Sequence, residues 1–257
     1  MTIIQSIILG ILQGFTEFLP ISSSAHLYII PYFFNWGYQG LGFDVALHWG
    51  TLLSVVIIFW KDYWKYFKGL WIGGIDRAMA WFLVLGSIPA AVIGFLLQGQ
   101  AESVFRSPWV IFVTLTAFAL LLWVADKKST QNTVNSTQLG WKKVLFIGFA
   151  QAIAIIPGVS RSGVTMTAGM FSRLTRAQAV RFSFLLSGPI IFGAGLVSIP
   201  DVGDINTALI VGFLASVVSG FIAIKFLLKF ITTHSFNLFV FYRYALAVLI
   251  FIILLIR

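Results

Sequence analysis

The chain has 257 residues, 59% hydrophobic and only 10% charged, with apolar runs far longer than the core of a soluble domain requires. That composition excludes an ordinary soluble protein and points to a polytopic membrane protein. The net charge of +9 invites a nucleic-acid reading, but the basic residues fall between hydrophobic runs, where they orient spans, so no nucleic-acid partner is expected; the absence of cysteine excludes disulfides and thiolate chemistry.

The first hydrophobic region, 3–34, has no Lys or Arg ahead of Lys61 and so lacks the basic flank of a cleaved signal peptide. It breaks at Pro20 and the serines Ser22, Ser23 and Ser24. The arm beyond the break is about a dozen residues, roughly 20 Å at the helical rise, too short for a hydrocarbon core of about 30 Å. Spans are predicted at 42–60, 77–97 and 108–125, followed by a polar stretch, 126–141. A second interrupted region, 142–171, breaks at "PGVSRSG", Pro157 to Gly163, and further spans follow at 177–199, 206–230 and 237–256. The expected fold class is therefore an all-α polytopic membrane protein with six transmembrane helices and two re-entrant helical hairpins. Irregular backbone at membrane depth is tolerated only where protein or a wet cavity covers it.

The two breaks are related to each other. A shift of 138 residues places Gly10 on Gly148, Gln13 on Gln151, Ser22 on Ser160 and Ser24 on Ser162. Each match opens the same series, a hairpin followed by three spans. One membrane domain, 1–257, thus divides into halves 1–125 and 142–257 joined by a cytoplasmic linker, 126–141. Three spans per half is an odd number, so the halves are expected to be inverted, with the hairpins entering from opposite faces.

Basic residues orient this topology. With the N-terminus outside, the inner loops and adjoining helix ends hold Lys61, Lys65, Lys68, Arg77, Lys127, Lys128, Lys142, Lys143, Arg173, Arg176, Arg181, Lys225 and Lys229, while the outer loops hold Glu102, Arg106, Asp201 and Asp204. The positive-inside rule then places both termini outside a multi-pass cell-membrane protein. Arg243, within the last span, is expected to snorkel towards the inner surface.

The hairpin tips gather Gln13, Glu17, Ser22, Ser23, Ser24 and His26 from one break and Ser160, Arg161, Ser162 and Thr165 from the other. Ionisable groups at such depth are expensive, and function is the default reading. Helix starts after each break offer N–H groups and a positive dipole end, and Arg161 adds a fork of donors, which together suit an anion such as phosphate. Ser22 and Ser160 also suit helix caps. Glu17 would repel phosphate unless it holds a divalent metal or accepts a proton. Asp44 and His48, four apart on one helical face, fit packing or support as well as catalysis.

These residues carry a family resemblance. Gln13–Glu17 followed by "FLPISSSAH" resembles the (E/Q)xxxE region of the undecaprenyl-diphosphate phosphatases of the bacitracin-resistance type, and "PGVSRSGVT", Pro157 to Thr165, resembles their PGxSRSxxT motif. The likeness runs over essentially the whole chain, including "FDVALHWGT" from Phe43 to Thr51. It implies an integral membrane hydrolase that removes the terminal phosphate of undecaprenyl diphosphate, recycling a carrier lipid for cell-wall synthesis, with an active site open to the outer face. It also implies a divalent metal ion, Mg2+ or Ca2+. Carried over by position, Glu17, Ser23, His26 and Arg161 form the catalytic set, and Ser22, Ser24, Ser160, Ser162 and Thr165 bind substrate phosphate. Glu17 and Gln13 take the metal side, which has one carboxylate fewer here than in members with Glu at that position.

Three nucleophiles fit the inventory: Ser23 activated by His26 or Glu17, His26 itself, or water activated by Glu17. Partners are the lipid substrate and the bilayer, and a homo-oligomer is compatible with the pattern. The alternative function is a transporter or flippase for a phosphorylated lipid or anion, since inverted repeats with broken helices also build transporters. The topology is testable in a chain without cysteine. A cysteine at Asn132 is expected to resist an impermeant reagent in intact cells while one at Asp204 reacts; the reverse pattern would invert the orientation.

Overall fold

A computed structural model describes residues 1–97, 99–100, 105, 107–129, 134–202 and 205–256. Glu102, Arg106, Asn132 and Asp204, used in the topology argument, lie outside the described residues. The helices are α1 (Ile3–Phe18), α2 (Ser23–Phe33), α3 (Leu41–Ile72), α4 (Gly74–Leu96), α5 (Pro108–Lys128), α6 (Trp141–Ile153), α7 (Arg161–Phe171), α8 (Arg176–Val197), α9 (Thr207–Phe230) and α10 (Asn237–Ile256). Among the described residues there is no strand beyond one isolated bridge between Val134 and Leu174.

Six of these helices, α3, α4, α5, α8, α9 and α10, are long and apolar enough to cross a bilayer, matching the predicted spans in number and order. Their ends follow local chemistry. Pro108 opens α5 at the position where a missing N–H is harmless, and Thr175 and Asn206 accept from Gln178 N and Leu209 N to cap α8 and α9.

One boundary differs from expectation. The segment 61–76, predicted as a loop, is helical as far as Ile72. Its lysines alternate with aromatic residues and contain no breaker before Gly69, so the helix runs on until Gly73 and Gly74, both at positive φ, reverse the chain. Arg77 then donates to the Leu70 and Trp71 carbonyls, and Lys65 pairs with Asp76 at 3.3 Å across the turn.

The two short helices are near-copies in backbone form. α2 and α7 each have 11 residues, and each is preceded by a serine at positive φ, 74° at Ser22 and 71° at Ser160. Each is followed by a second positive-φ residue at the same offset, Asn35 and Arg173. Their partners correspond as well: α1 packs against α9 and α6 against α4. At both seams glycine lets the backbones meet. A Cβ on Gly10 would stand 2.3 Å from the Gly212 carbonyl, and one on Gly148 would stand 2.6 Å from the Gly86 carbonyl. Small residues at such seams replace the hydrophobic drive that lipid removes.

At the centre, Phe18, Val55, Phe59, Met166 and Phe184 form part of one buried apolar cluster beneath both breaks. Most large apolar side chains elsewhere on the spans face outward, as lipid-exposed helices require.

The seam between α1 and α9 has a direct test. A Cβ on Gly14 would lie 1.9 Å from Ser219 Oγ and 2.5 Å from Gly220 N, whereas one on Gly94, within α4, meets nothing within 4 Å. Gly14→Ala is therefore expected to destabilise by about 1–3 kcal/mol, and Gly94→Ala to be neutral or stabilising by up to about 1 kcal/mol. Thermal unfolding of both variants in detergent checks the difference.

Candidate active site

The site forms where the breaks meet. Glu17 is the penultimate residue of α1, next to the point where Pro20 prevents continuation. Ser23 and Arg161 occupy the first positions of α2 and α7, immediately after the two strained serines. A non-glycine residue at positive φ persists only where its surroundings hold it. His26 does so at the first break, where its Nδ1 donates to the Ser22 carbonyl at 2.7 Å; at the second, Ser160 Oγ accepts from Gly163 N at 3.1 Å. The Ser22 hydroxyl makes no such cap and lies 3.3 Å from Ser24 Oγ instead.

Glu17 is 6% exposed, and both oxygens of its carboxylate accept hydrogen bonds. Arg161 Nη2 donates to Oε1 at 2.6 Å. Ser23 Oγ donates to Oε2 at 2.8 Å and Gln13 Nε2 to the same oxygen at 3.1 Å. His48 Nε2, from α3, stands 3.6 Å from Oε2. A carboxylate or a guanidinium alone would be costly to bury; paired and hydrogen-bonded, each stabilises the other.

Ser23 thus offers its proton to a carboxylate held still by an arginine from the other break, an arrangement able to activate a hydroxyl. Arg161 has donors to spare, with Nη1 only 3.4 Å from the Ser183 carbonyl in a long contact. Ser23 is half-buried and Ser24 exposed, so the start of α2 faces accessible space.

The other predicted residues divide. Ser160, Ser162 and Thr165 are all buried. Ser162 Oγ donates to the Leu19 carbonyl at 3.2 Å, tying α7 to the end of α1, and Thr165 Oγ1 meets Ser183 Oγ at 2.6 Å, tying α7 to α8. His26 is not brought to Glu17. Its Nδ1 donates to the Ser22 carbonyl, and Nε2 faces Tyr242 Oη at 2.6 Å.

Two residues carry more than sequence reasoning assigned. His48 reaches Glu17 from a third helix, while its Nδ1 is held by the Asp44 carbonyl at 2.7 Å and not by the Asp44 side chain. Arg243 corrects the expectation of snorkelling. It is fully buried and donates to main-chain carbonyls in both breaks, because three acceptors there and the Leu115 carbonyl of α5 leave its guanidinium better served than any path to the surface. An arginine in the middle of an apolar span was the available signal.

A family model described as "Bacitracin resistance protein BacA" matches residues 6–249. Among curated proteins, the chain is 52% identical to the undecaprenyl-diphosphatase of Pelotomaculum thermopropionicum over 248 residues, covering 95% of this chain and 93% of that protein. It is 47% identical to the undecaprenyl-diphosphatase of Elusimicrobium minutum over 256 residues, with 98% of each covered. Identity to that of Moorella thermoacetica is 47% over 258 residues, with 97% of each covered.

Proposed function

The chain belongs to the bacitracin resistance protein BacA family, and from that membership and the site geometry we propose that it hydrolyses undecaprenyl diphosphate to undecaprenyl phosphate and inorganic phosphate within the cell membrane. The observation that carries the chemistry is Ser23 Oγ at 2.8 Å from a Glu17 carboxylate whose other oxygen is held by Arg161 at 2.6 Å. Binding an anion needs neither a base nor a hydroxyl aimed at it, so this arrangement favours hydrolysis over simple transport.

Ser23 is the nucleophile in this reading. Its proton passes to Glu17 as Oγ attacks the terminal phosphorus, the bond to the lipid-side phosphate breaks, and undecaprenyl phosphate leaves. The departing undecaprenyl phosphate takes that proton from Glu17, and the regenerated carboxylate takes a proton from water as the water oxygen attacks the phosphorus; the bond to Ser23 Oγ breaks, inorganic phosphate leaves, and Glu17 returns the proton to Ser23 Oγ. Charge building on the transferring oxygens is met by Arg161, by the first-turn N–H groups of α2 and by the Ser22 and Ser24 hydroxyls. Ser160, Ser162 and Thr165 hold α7 in place so that Arg161 faces the phosphate. His26 supports the turn at Ser22, with both nitrogens engaged away from the reacting atoms. His48 lies close enough to steady the Glu17 charge.

A divalent cation fits one feature of the site. Gln13 Oε1 is buried without a hydrogen-bond partner on the residue whose amide nitrogen bonds Glu17. Hard cations such as Mg2+ or Ca2+ prefer oxygen ligands, and Gln13 and Glu17 would hold one, with phosphate oxygens and water completing the shell. Bound there, the ion would neutralise diphosphate charge.

A groove of about 620 Å³ between α3 and α8, lined by Leu52, Val56, Trp60, Tyr63, Pro189 and Phe192, begins one turn beyond His48 and suits part of the prenyl chain. The matched geometry of α2 and α7, and the equivalent seams of α1 on α9 and α6 on α4, support an inverted repeat of two re-entrant hairpins. At 11 residues each short helix spans about 16 Å, half the hydrocarbon thickness. In this reading both termini and the mouth of the site are extracytoplasmic, following the lysine and arginine distribution.

Phosphate release from undecaprenyl diphosphate by purified protein in detergent, with EDTA as control, tests the activity; no release would overturn it. Glu17→Gln is expected to abolish turnover in a folded protein, because the amide preserves shape but cannot take the Ser23 proton. Wild-type turnover in that variant would make the carboxylate structural. Arg161→Lys retains charge but loses the planar fork, and kcat is expected to fall on the order of a hundredfold with a smaller change in KM. A raised KM at unchanged kcat would reduce Arg161 to a binding group.

A further inference from the structure

Arg243 is among the largest fully buried side chains of the described residues, and no described carboxylate pairs with it. Its guanidinium donates to four main-chain carbonyls. Nε reaches Leu115 of α5 at 3.3 Å, Nη1 reaches Pro20 at 3.3 Å, and Nη2 reaches Gly158 at 2.8 Å and Val159 at 3.0 Å. Pro20 belongs to the first break; Gly158 and Val159 belong to the second. One planar group therefore grips both interruptions at once, three residues before Ser23 and two before Arg161. The fold makes room for it, since a Cβ on Gly163 would lie 3.0 Å from Arg243 Nη1.

A neutral donor could tie carbonyls together at a lower desolvation penalty, and an uncompensated charge is among the most expensive groups to bury. What arginine adds is a rigid fork, five donors in one plane, with a fixed angle between those that serve each break. It also leaves a positive charge beside the site, where Glu17 and Arg161 already offset one another, and so favours a bound diphosphate.

We propose that Arg243 is a positioning residue for phosphoryl transfer: its guanidinium sets the spacing and angle of the two breaks, so that Arg161 from one meets Glu17 and Ser23 of the other. The inference rests on the functional reading above, in which those three residues form the reacting centre. It acts through the backbone, with no contact to substrate required.

The test compares wild type, Arg243→Lys, Arg161→Lys and the double variant in detergent, with phosphate release and thermal unfolding measured on each. Misplacing a catalytic group by about 1 Å costs on the order of a hundredfold, so folded Arg243→Lys is expected to lose roughly that factor in kcat with little change in KM. The double variant is expected to be no worse than about the more impaired single, since a fork already absent gains nothing from alignment. If Arg243→Lys does not fold, Gly163→Ala replaces it. Its methyl meets Arg243 Nη1 at 3.0 Å and Ser160 Oγ at 3.1 Å while every polar partner remains, and the same kcat loss is expected. Wild-type kcat in whichever folded variant is measured, or losses that multiply in the double variant, would leave Arg243 a purely structural group. Absence of release by wild type would overturn the functional reading and this inference with it; an active wild type with an unimpaired variant overturns this inference alone.

Discussion

A chain that interrupts a helix among other apolar helices must find partners for the carbonyl and N–H groups it releases, because hydrocarbon supplies none. Both breaks in this protein face that demand, and Arg243 meets it at Pro20, Gly158 and Val159 together. Ser162 bonds the Leu19 carbonyl, and Thr114 Oγ1 bonds that of Pro157 at 2.6 Å. The breaks are thus satisfied largely by groups from one another and from α5 and α10. That reciprocity brings Glu17 and Arg161, 144 positions apart, into a 2.6 Å ion pair.

Close packing of small residues makes this geometry possible. Gly10, Gly14 and Gly50 let α1 and α3 approach α9, and Gly148 lets α6 approach α4, so the arms before the breaks are held by backbone proximity. Serines add polar stitches within the same seams: Ser54 donates to the Val217 carbonyl at 2.7 Å and Ser216 to that of Leu47 at 2.8 Å. Away from the site, Asp126 performs a similar task. Its carboxylate accepts from Arg176 Nε and from the Phe236 amide, fixing the starts of α8 and α10 to the end of α5. Rigid surroundings of this kind are what a reacting centre needs, since hydrogen-bond donors stabilise developing charge best when they do not have to reorganise.

The electrostatic arrangement follows from the same economy. Glu17 and Arg161 can be buried because each compensates the other, and that pairing leaves Glu17 ionised and directed at Ser23. In the proposed mechanism a diphosphate arriving at the start of α2 would compete for the Arg161 donors and free the carboxylate to take a proton, so that one guanidinium would couple binding to activation. Gln13, an amide beside Glu17 in place of a second carboxylate, keeps the site's negative charge low, consistent with an anionic substrate.

By itself the sequence determined the membrane class, the six spans in order and the two interruptions, because hydropathy and the helix-breaking residues Pro20, Pro157 and Gly158 act locally. It also gathered ten polar candidates at the two breaks, since ionisable and hydroxyl residues in an apolar segment are conspicuous, and the family resemblance narrowed these to Glu17, Ser23, His26 and Arg161. The continuation of α3 to Ile72 was misjudged where lysines suggested a loop, although they are good helix formers and nothing stops the helix before Gly73. Only the tertiary structure decided the division of labour. It turned His26 to Ser22 and Tyr242, brought His48 to Glu17 from a third helix, and drew Arg243 inward to the carbonyls of both breaks. Those outcomes depend on which distant backbone groups remain unsatisfied once the helices have packed, and no local pattern of residues records that.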